Sequence, residues 1–251
     1  INLMRMGRND EATAQLSLCY ENGYRNLETV NSLRLLDSLK NFETVRAGDA
    51  VLVLNKKEAE LLRPYFEELV NRAMRTYESK YHFRLPGPVR VEVYPDHEDF
   101  AVRTSGMPGL GALGVTFGTV VAMDSPSGRP PGQFHWGSTL WHEMSHVYVL
   151  TATHHLVPRW FTEGLAVYEE SIAAPGWGDR LQPDEIHAVK GRKLLPVLEM
   201  DREFIRPSYP AQVAVSYFEA GRMCAFIAQK WNYSKLVDMI YAFGARKTTE
   251  Q

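Results

Sequence analysis

Thr139-Leu140-Trp141-His142-Glu143-Met144-Ser145-His146-Val147-Tyr148-Val149 has the spacing of a helix that Leu140, Trp141, Met144, Val147 and Val149 pack among its neighbours. At about 3.6 residues per turn, positions 142 and 146 share one face, one turn apart, so two imidazoles reach the same ion. Glu143 stands beside them on the same helix, placed to hold a water on that ion without ligating it. With 8 His in 251 residues such a spacing also arises by chance, so its surroundings decide how it is read.

Downstream runs Trp160-Phe161-Thr162-Glu163-Gly164-Leu165-Ala166, a carboxylate set in an apolar helical segment shortly after Pro158 breaks the chain. Burying that carboxylate is costly unless it is paired or bound to a cation. Two His and one carboxylate, with a fourth position open, form a common catalytic zinc set. His142, His146 and Glu163 are therefore the expected ligands of one Zn²⁺ per chain, with Glu143 as general base. The competing reading leaves Glu163 as a solvent-facing charge near a helix N-terminus.

Upstream, residues 1–46 read as helical, with Ala12, Leu16 and Cys19 and then Leu33, Leu36 and Leu39 at helical spacing. Ala50–Leu54 is an apolar run of strand length, followed by a helix over about 57–80. Val89–Tyr94 alternates as a strand, with Val89, Val91 and Val93 on one side. A short helix is expected over 96–103, a Gly-rich loop over 106–114 and one strand over 115–123. Gly118–Met123 is expected to be an edge strand, with Gly118, Thr119, Val120 and Val121 lying beside an extended peptide. From Phe134 onward the pattern is helical, over about 134–150, 159–173, 183–190, 211–231 and 235–243. Strands first and helices after argue an α+β fold rather than a βαβ wind. It would hold a small mixed or antiparallel sheet, then a mainly helical half carrying the His-Glu-x-x-His helix. The expected division is a helical extension over 1–46 and one domain over 47–251.

The pair of motifs resembles the gluzincin metallopeptidases, in which a His-Glu-x-x-His helix is followed by a helix bearing a ligand Glu. Trp160–Ala166 is similar to the Trp-Leu-Asn-Glu-Gly-Phe-Ala segment of the aminopeptidase N-like branch. It is more similar still to bacterial peptidase MA-like domains joined to tetratricopeptide repeats. The likeness spans about 50–243 and is specific at those two motifs, with a slightly shorter gap between His146 and Glu163 than in the aminopeptidases. It implies that Glu170, two turns beyond Glu163, orients metal-bound His side chains, Glu169 being the competing choice. It also implies that Tyr217 donates to the tetrahedral oxyanion, although a core tyrosine fits the same position. The helices of 1–46 resemble the end of a tetratricopeptide array, which would offer a surface to a protein partner; a helical cap on the next domain is the equal alternative.

The resemblance implies zinc-dependent hydrolysis of a peptide or protein. The aminopeptidases place a Glu in a Gly-x-Met-Glu-Asn strand to bind the substrate amine. Residues 116–124 contain no Glu and only Asp124 at the far end, so endopeptidase action is expected over aminopeptidase action, the alternative being that Asp124, Glu169 or Glu170 supplies the carboxylate from another direction. A non-catalytic interaction module with a structural or decayed metal site is the rival, disfavoured because such a site needs no Glu143.

The remaining features are mostly exclusions. A net charge of -2 gives no global field for nucleic acid or an anionic membrane, and no run of like charge suggests a local one. The apolar stretches are too short to span a bilayer. Cys19 and Cys224 are too far apart for a Cys-x-x-Cys site. His154 and His155 read as loop residues, since a metzincin third ligand would need Gly where Val149 stands. The start at Ile1 and the stop after 245–251 suggest a piece of a longer protein, bacterial on the resemblance and compatible with export, its compartment left open.

Overall fold

In β3 (Val89–Tyr94), Val89, Val91 and Val93 are fully buried and Arg90, Glu92 and Tyr94 face the other way. That alternation places β3 at the centre of a sheet covered on both sides. The computed structural model describes residues 1–109, 111–132, 134–178 and 181–251 and divides into two compact units. One comprises 1–76 and 85–147, the other 77–84 and 148–251. Leu110, within the expected Gly-rich loop, lies outside the described residues.

The first unit opens with helices α1 (Asn2–Arg5), α2 (Asn9–Glu21) and α3 (Leu27–Ser38). Asn26 caps α3, its side chain accepting the Thr29 N–H at 2.9 Å. Strands β1 (Phe42–Ala47) and β2 (Ala50–Asn55), helix α4 (Ala59–Tyr81), β3 and α5 (His97–Ser105) follow. Then come β4 (Gly114–Phe117), β5 (Val120–Asp124) and α6 (Trp136–Ala152). The sheet runs β1-β2-β3-β5-β4, with β2, β3 and β5 parallel and the outer strands β1 and β4 antiparallel to their neighbours. The fold is α+β, as expected, and the sheet is mixed.

Four expectations need correction. Residues 42–47 are β1 rather than helix; its Glu43 and Arg46 and its half-exposed face hide the strand signal at the sheet edge. The parallel centre is built from β2-α4-β3 and β3-α5-β5 crossovers, which the exclusion of a βαβ wind missed. The helices before β1 pack on the sheet as a cap would: Met4, Ala12, Leu35 and Leu36 are buried with Tyr94, Phe100, Val102 and Ala122 in one core. The division at 46/47 therefore does not coincide with a unit boundary.

The single strand expected over 115–123 is a hairpin, folded at Gly118-Thr119, where Gly118 has φ +60°. The expected edge is displaced accordingly. Val120 and Val121 lie in β5, buried between β3 and β4, and Gly118 and Thr119 are the turn. The edge strand is β4. A continuous β-branched run gives no sign of the fold-back except its glycine, which is why the sequence misplaced it.

Opposite the α1–α3 side of the sheet, Phe66 of α4 stacks on Trp136 at the start of α6 at 4.6 Å between ring centroids. Beneath the α1–α3 side, Glu92 accepts from Arg103 Nε and Arg90 Nε, each at 2.6 Å, and from the Tyr94 hydroxyl at 2.9 Å. Burial alone would push the Glu92 carboxyl up, but the Arg103 guanidinium, with Arg90, holds it below its ordinary value.

The second unit is helical, with α7 (Arg159–Ala173), α8 (Pro183–Lys190), α9 (Met200–Glu203), α10 (Gln212–Trp231) and α11 (Ser234–Gly244). Pro158 has no side chain to cap α7, and Asp201 does so from α9, accepting the Trp160 N–H at 2.7 Å. α7 and α10 touch backbone to backbone. A Cβ on Gly164 would lie 2.5 Å from the Ala220 carbonyl oxygen, and one on Gly221 would lie 2.6 Å from Val167 Cγ1. No helix among the described residues is long and apolar enough to cross a membrane.

Candidate metal centre

Leu140, Trp141, Met144 and Val147 are buried, so α6 is gripped along its apolar side and its polar residues have fixed directions. Arg72 reinforces the grip, its guanidinium 5.1 Å from the Trp141 ring centroid. On this helix His142 Nε2 and His146 Nε2 converge to 3.0 Å, their rings edge to face at 80°. Ligands about 2.0–2.1 Å from a tetrahedral zinc lie about 3.4 Å from one another, close to this spacing.

Glu163, on α7, is only 7 % exposed, which removes the reading of a solvent-facing charge. Arg159, one turn before it, brings Nε to 3.4 Å of its carboxylate. His142, His146 and Glu163 each offer a donor atom, and the three atoms lie within 4.8 Å of one another. Among the described residues they are the one such group of His, Cys, Asp or Glu side chains. The donor types and their convergence fit a catalytic zinc set.

Glu143 is 6 % exposed and is held by β4. Thr116 Oγ1 donates to Glu143 Oε2 at 2.6 Å and lies 3.1 Å from the Glu143 carbonyl oxygen. Gly114, two residues earlier on the same face of β4, leaves the space that the other oxygen occupies. A Cβ there would stand 2.8 Å from both Glu143 Cγ and Oε1. The sequence reading missed Gly114 and Thr116. Their signal is the strand alternation in Gly114-Val115-Thr116-Phe117, with Val115 packed on the opposite core.

The acidic pair on α7 separates. Glu169 is fully buried and accepts from Lys80 Nζ and from the Tyr233 hydroxyl, whose titration burial drives far above its ordinary range. Glu170 is buried too. Tyr217 is half-buried on α10, its ring edge-on to Phe204 at 5.1 Å.

The other histidines are engaged elsewhere. His154 and His155 sit at positive φ in the turn after α6. His135 Nδ1 accepts the Ser138 N–H at 3.1 Å, near the start of α6. His97 Nδ1 lies 2.9 Å from Asp124 Oδ2, which Arg129 Nε also meets at 2.8 Å. No protein-family model, curated protein or solved structure matches the chain.

Proposed function

We propose that the chain is a zinc-dependent peptide hydrolase of the gluzincin kind, its metal held by His142, His146 and Glu163. The convergence of these three donors within 4.8 Å carries the reading. Zinc, when bound, supplies a Lewis acid for the scissile carbonyl and an attacking water whose pKa is brought toward neutrality. Glu143 would take the proton of the attacking water and pass it to the leaving amine. Thr116 fixes one carboxylate oxygen, and Gly114 leaves room for the other. Glu170 orients a ligand histidine, and Tyr217 donates to the oxyanion.

The edge of β4 offers a place for an extended peptide. Val120 and Phe117 flank the two-residue turn, and Leu113 O accepts the Asp124 N–H at 3.0 Å. Positions 113, 115 and 117 therefore bond inward to β5, and the backbone groups of Gly114 and Thr116 point outward. A substrate strand paired there would run past Glu143.

The site favours internal cleavage. β4 contains no acid to bind a free α-amine. Asp124 is fully buried against His97 and Arg129, and Glu169 is engaged by Lys80 and Tyr233, which removes both from that task. The rival of a merely structural site gives no reason for Glu143 to be clamped against an edge strand.

The test is elemental analysis of protein purified without chelators, followed by peptide hydrolysis. About one zinc per chain is expected. Glu143→Gln should keep the metal and lose the activity by several orders of magnitude. Zinc retained undiminished in Glu163→Ala, or hydrolysis undiminished in Glu143→Gln, would overturn the assignment.

A further inference from the structure

α10 carries a second surface that the peptidase reading leaves unused. Phe218, Met223, Phe226, Ile227 and Trp231, with Leu194, line an apolar groove of about 400 Å³. Phe226 is 55 % exposed and Trp231 48 %, an unusual exposure for two large aromatic side chains five residues apart. Lys230 Nζ lies over both rings, 5.4 Å from the Phe226 centroid and 4.6 Å from that of Trp231. Arg222 stands exposed on the groove wall, and Lys190, Arg192 and Lys193 immediately precede Leu194, all exposed.

We propose that this face docks on an anionic lipid surface. The charge of the face selects that partner. Across 190–194 and 219–231 the charged residues are Lys190, Arg192, Lys193, Arg222 and Lys230 against Glu219 alone. Glu219 is spent locally, accepting the Leu195 N–H at 3.2 Å. A second copy docked through the same face would set two such basic rims against each other, and a neutral partner helix would leave the cations without counter-charge. Lipid phosphates meet the cations, while the aromatic rings suit the headgroup level. The groove beside Leu194 takes acyl methylenes. The contact is interfacial, of the kind that a helix lying on a bilayer makes with one face.

The experiment is co-sedimentation of the full chain with vesicles of phosphatidylglycerol and phosphatidylcholine in equal parts, and with phosphatidylcholine alone. Uptake on the anionic vesicles only, weakened by high salt, is the expected result. Arg222→Glu with Lys230→Glu should lower that uptake about tenfold or more. Phe226→Ser should lower it while leaving the circular dichroism and melting temperature near those of the parent. A blue shift of Trp231 emission on anionic vesicles, absent in Trp231→Phe, reports insertion without relying on a destabilising variant. Equal uptake on both vesicle types, or no uptake on either, overturns the proposal. So does a concentration-dependent dimer broken by Phe226→Ser in a protein that ignores vesicles, which would make a second copy the occupant.

Discussion

Thr116 Oγ1 lies 2.6 Å from Glu143 Oε2, so the edge strand of the sheet holds the carboxylate that stands between two metal-ligand histidine candidates in sequence. The hydroxyl fixes the rotamer of a buried acid whose task, on the proposed mechanism, is to accept a proton at one defined oxygen. Thr116→Val keeps the shape and removes the donor. A hydrogen bond to a charged group contributes about 1.5–3 kcal/mol, so hydrolysis should fall roughly 10–100-fold. Zinc content should not change, and Thr116→Ser should restore most of the rate. Steady-state kinetics beside metal analysis reads the result; an unchanged rate in the valine variant detaches Thr116 from the reaction.

Gly114 tests the same carboxylate from the other side. A side chain there would collide with Glu143 Cγ and Oε1 at 2.8 Å. Gly114→Val should therefore swing Glu143 aside, and a displacement of about 1 Å costs about 100-fold. Edge strands accept valine well, so the melting temperature should hold. Kinetics and circular dichroism on the same preparation separate the two effects, and full activity would show that Glu143 needs no such space.

The specificity prediction follows from what β4 lacks. With no acid on the edge strand and Asp124 sealed against His97 and Arg129, a protonated N-terminus gains no charge-assisted hydrogen bond there. Matched peptides with free and acetylated N-termini should be cut internally at similar rates, as read by mass spectrometry. Stepwise loss of single residues from the free peptide alone would make the enzyme an aminopeptidase.

Gly164 makes a stability prediction. Its Cβ would stand 2.5 Å from the backbone carbonyl oxygen of Ala220, an atom that no rotamer change can move. Gly164→Ala should cost about 1–3 kcal/mol despite the better helix propensity of alanine. Urea denaturation measures it, and a stabilised variant would mean that α7 and α10 separate freely.

Glu92 predicts how the protein responds to acid. Its folded-state titration is lowered by Arg103 and Arg90, so its stabilisation is fully present above the ordinary carboxylate pKa of about 4.3. It is lost as pH falls through the lower folded value. Glu92→Gln leaves the buried Arg103 uncompensated and should cost about 3–5 kcal/mol at neutral pH. The gap between parent and variant should narrow as the pH falls below the ordinary carboxylate range. Melting temperatures across that range check it; a constant gap would assign the loss to packing.

The sequence by itself determined where the helices with strong periodicity run, and it named the residues on which the proposed function rests. α7 and α8 fall on the predicted bounds, and α6 carries His142 and His146 on one face because helical spacing is a local property of the chain. β3 was legible for the same reason, its three valines alternating toward one side. Local rules also flagged Glu163, because a carboxylate within an apolar stretch requires a partner.

Only the tertiary structure decided which strand is the edge, since that depends on pairing between segments distant in sequence. β4 and β5 read as one run, and the fold-back at Gly118 moved the edge from Val120-Val121 to Gly114–Phe117. The partners of Glu143 were invisible for that reason: Thr116 and Gly114 lie about 27 residues away and carry no signal until the hairpin forms. That Glu169 is engaged by Lys80 and Tyr233 was likewise beyond periodicity, because both partners lie far away in the chain. Burial of Met4, Ala12 and Leu35 beneath the sheet shows the same limit, since an amphipathic helix declares that it has a partner without declaring which.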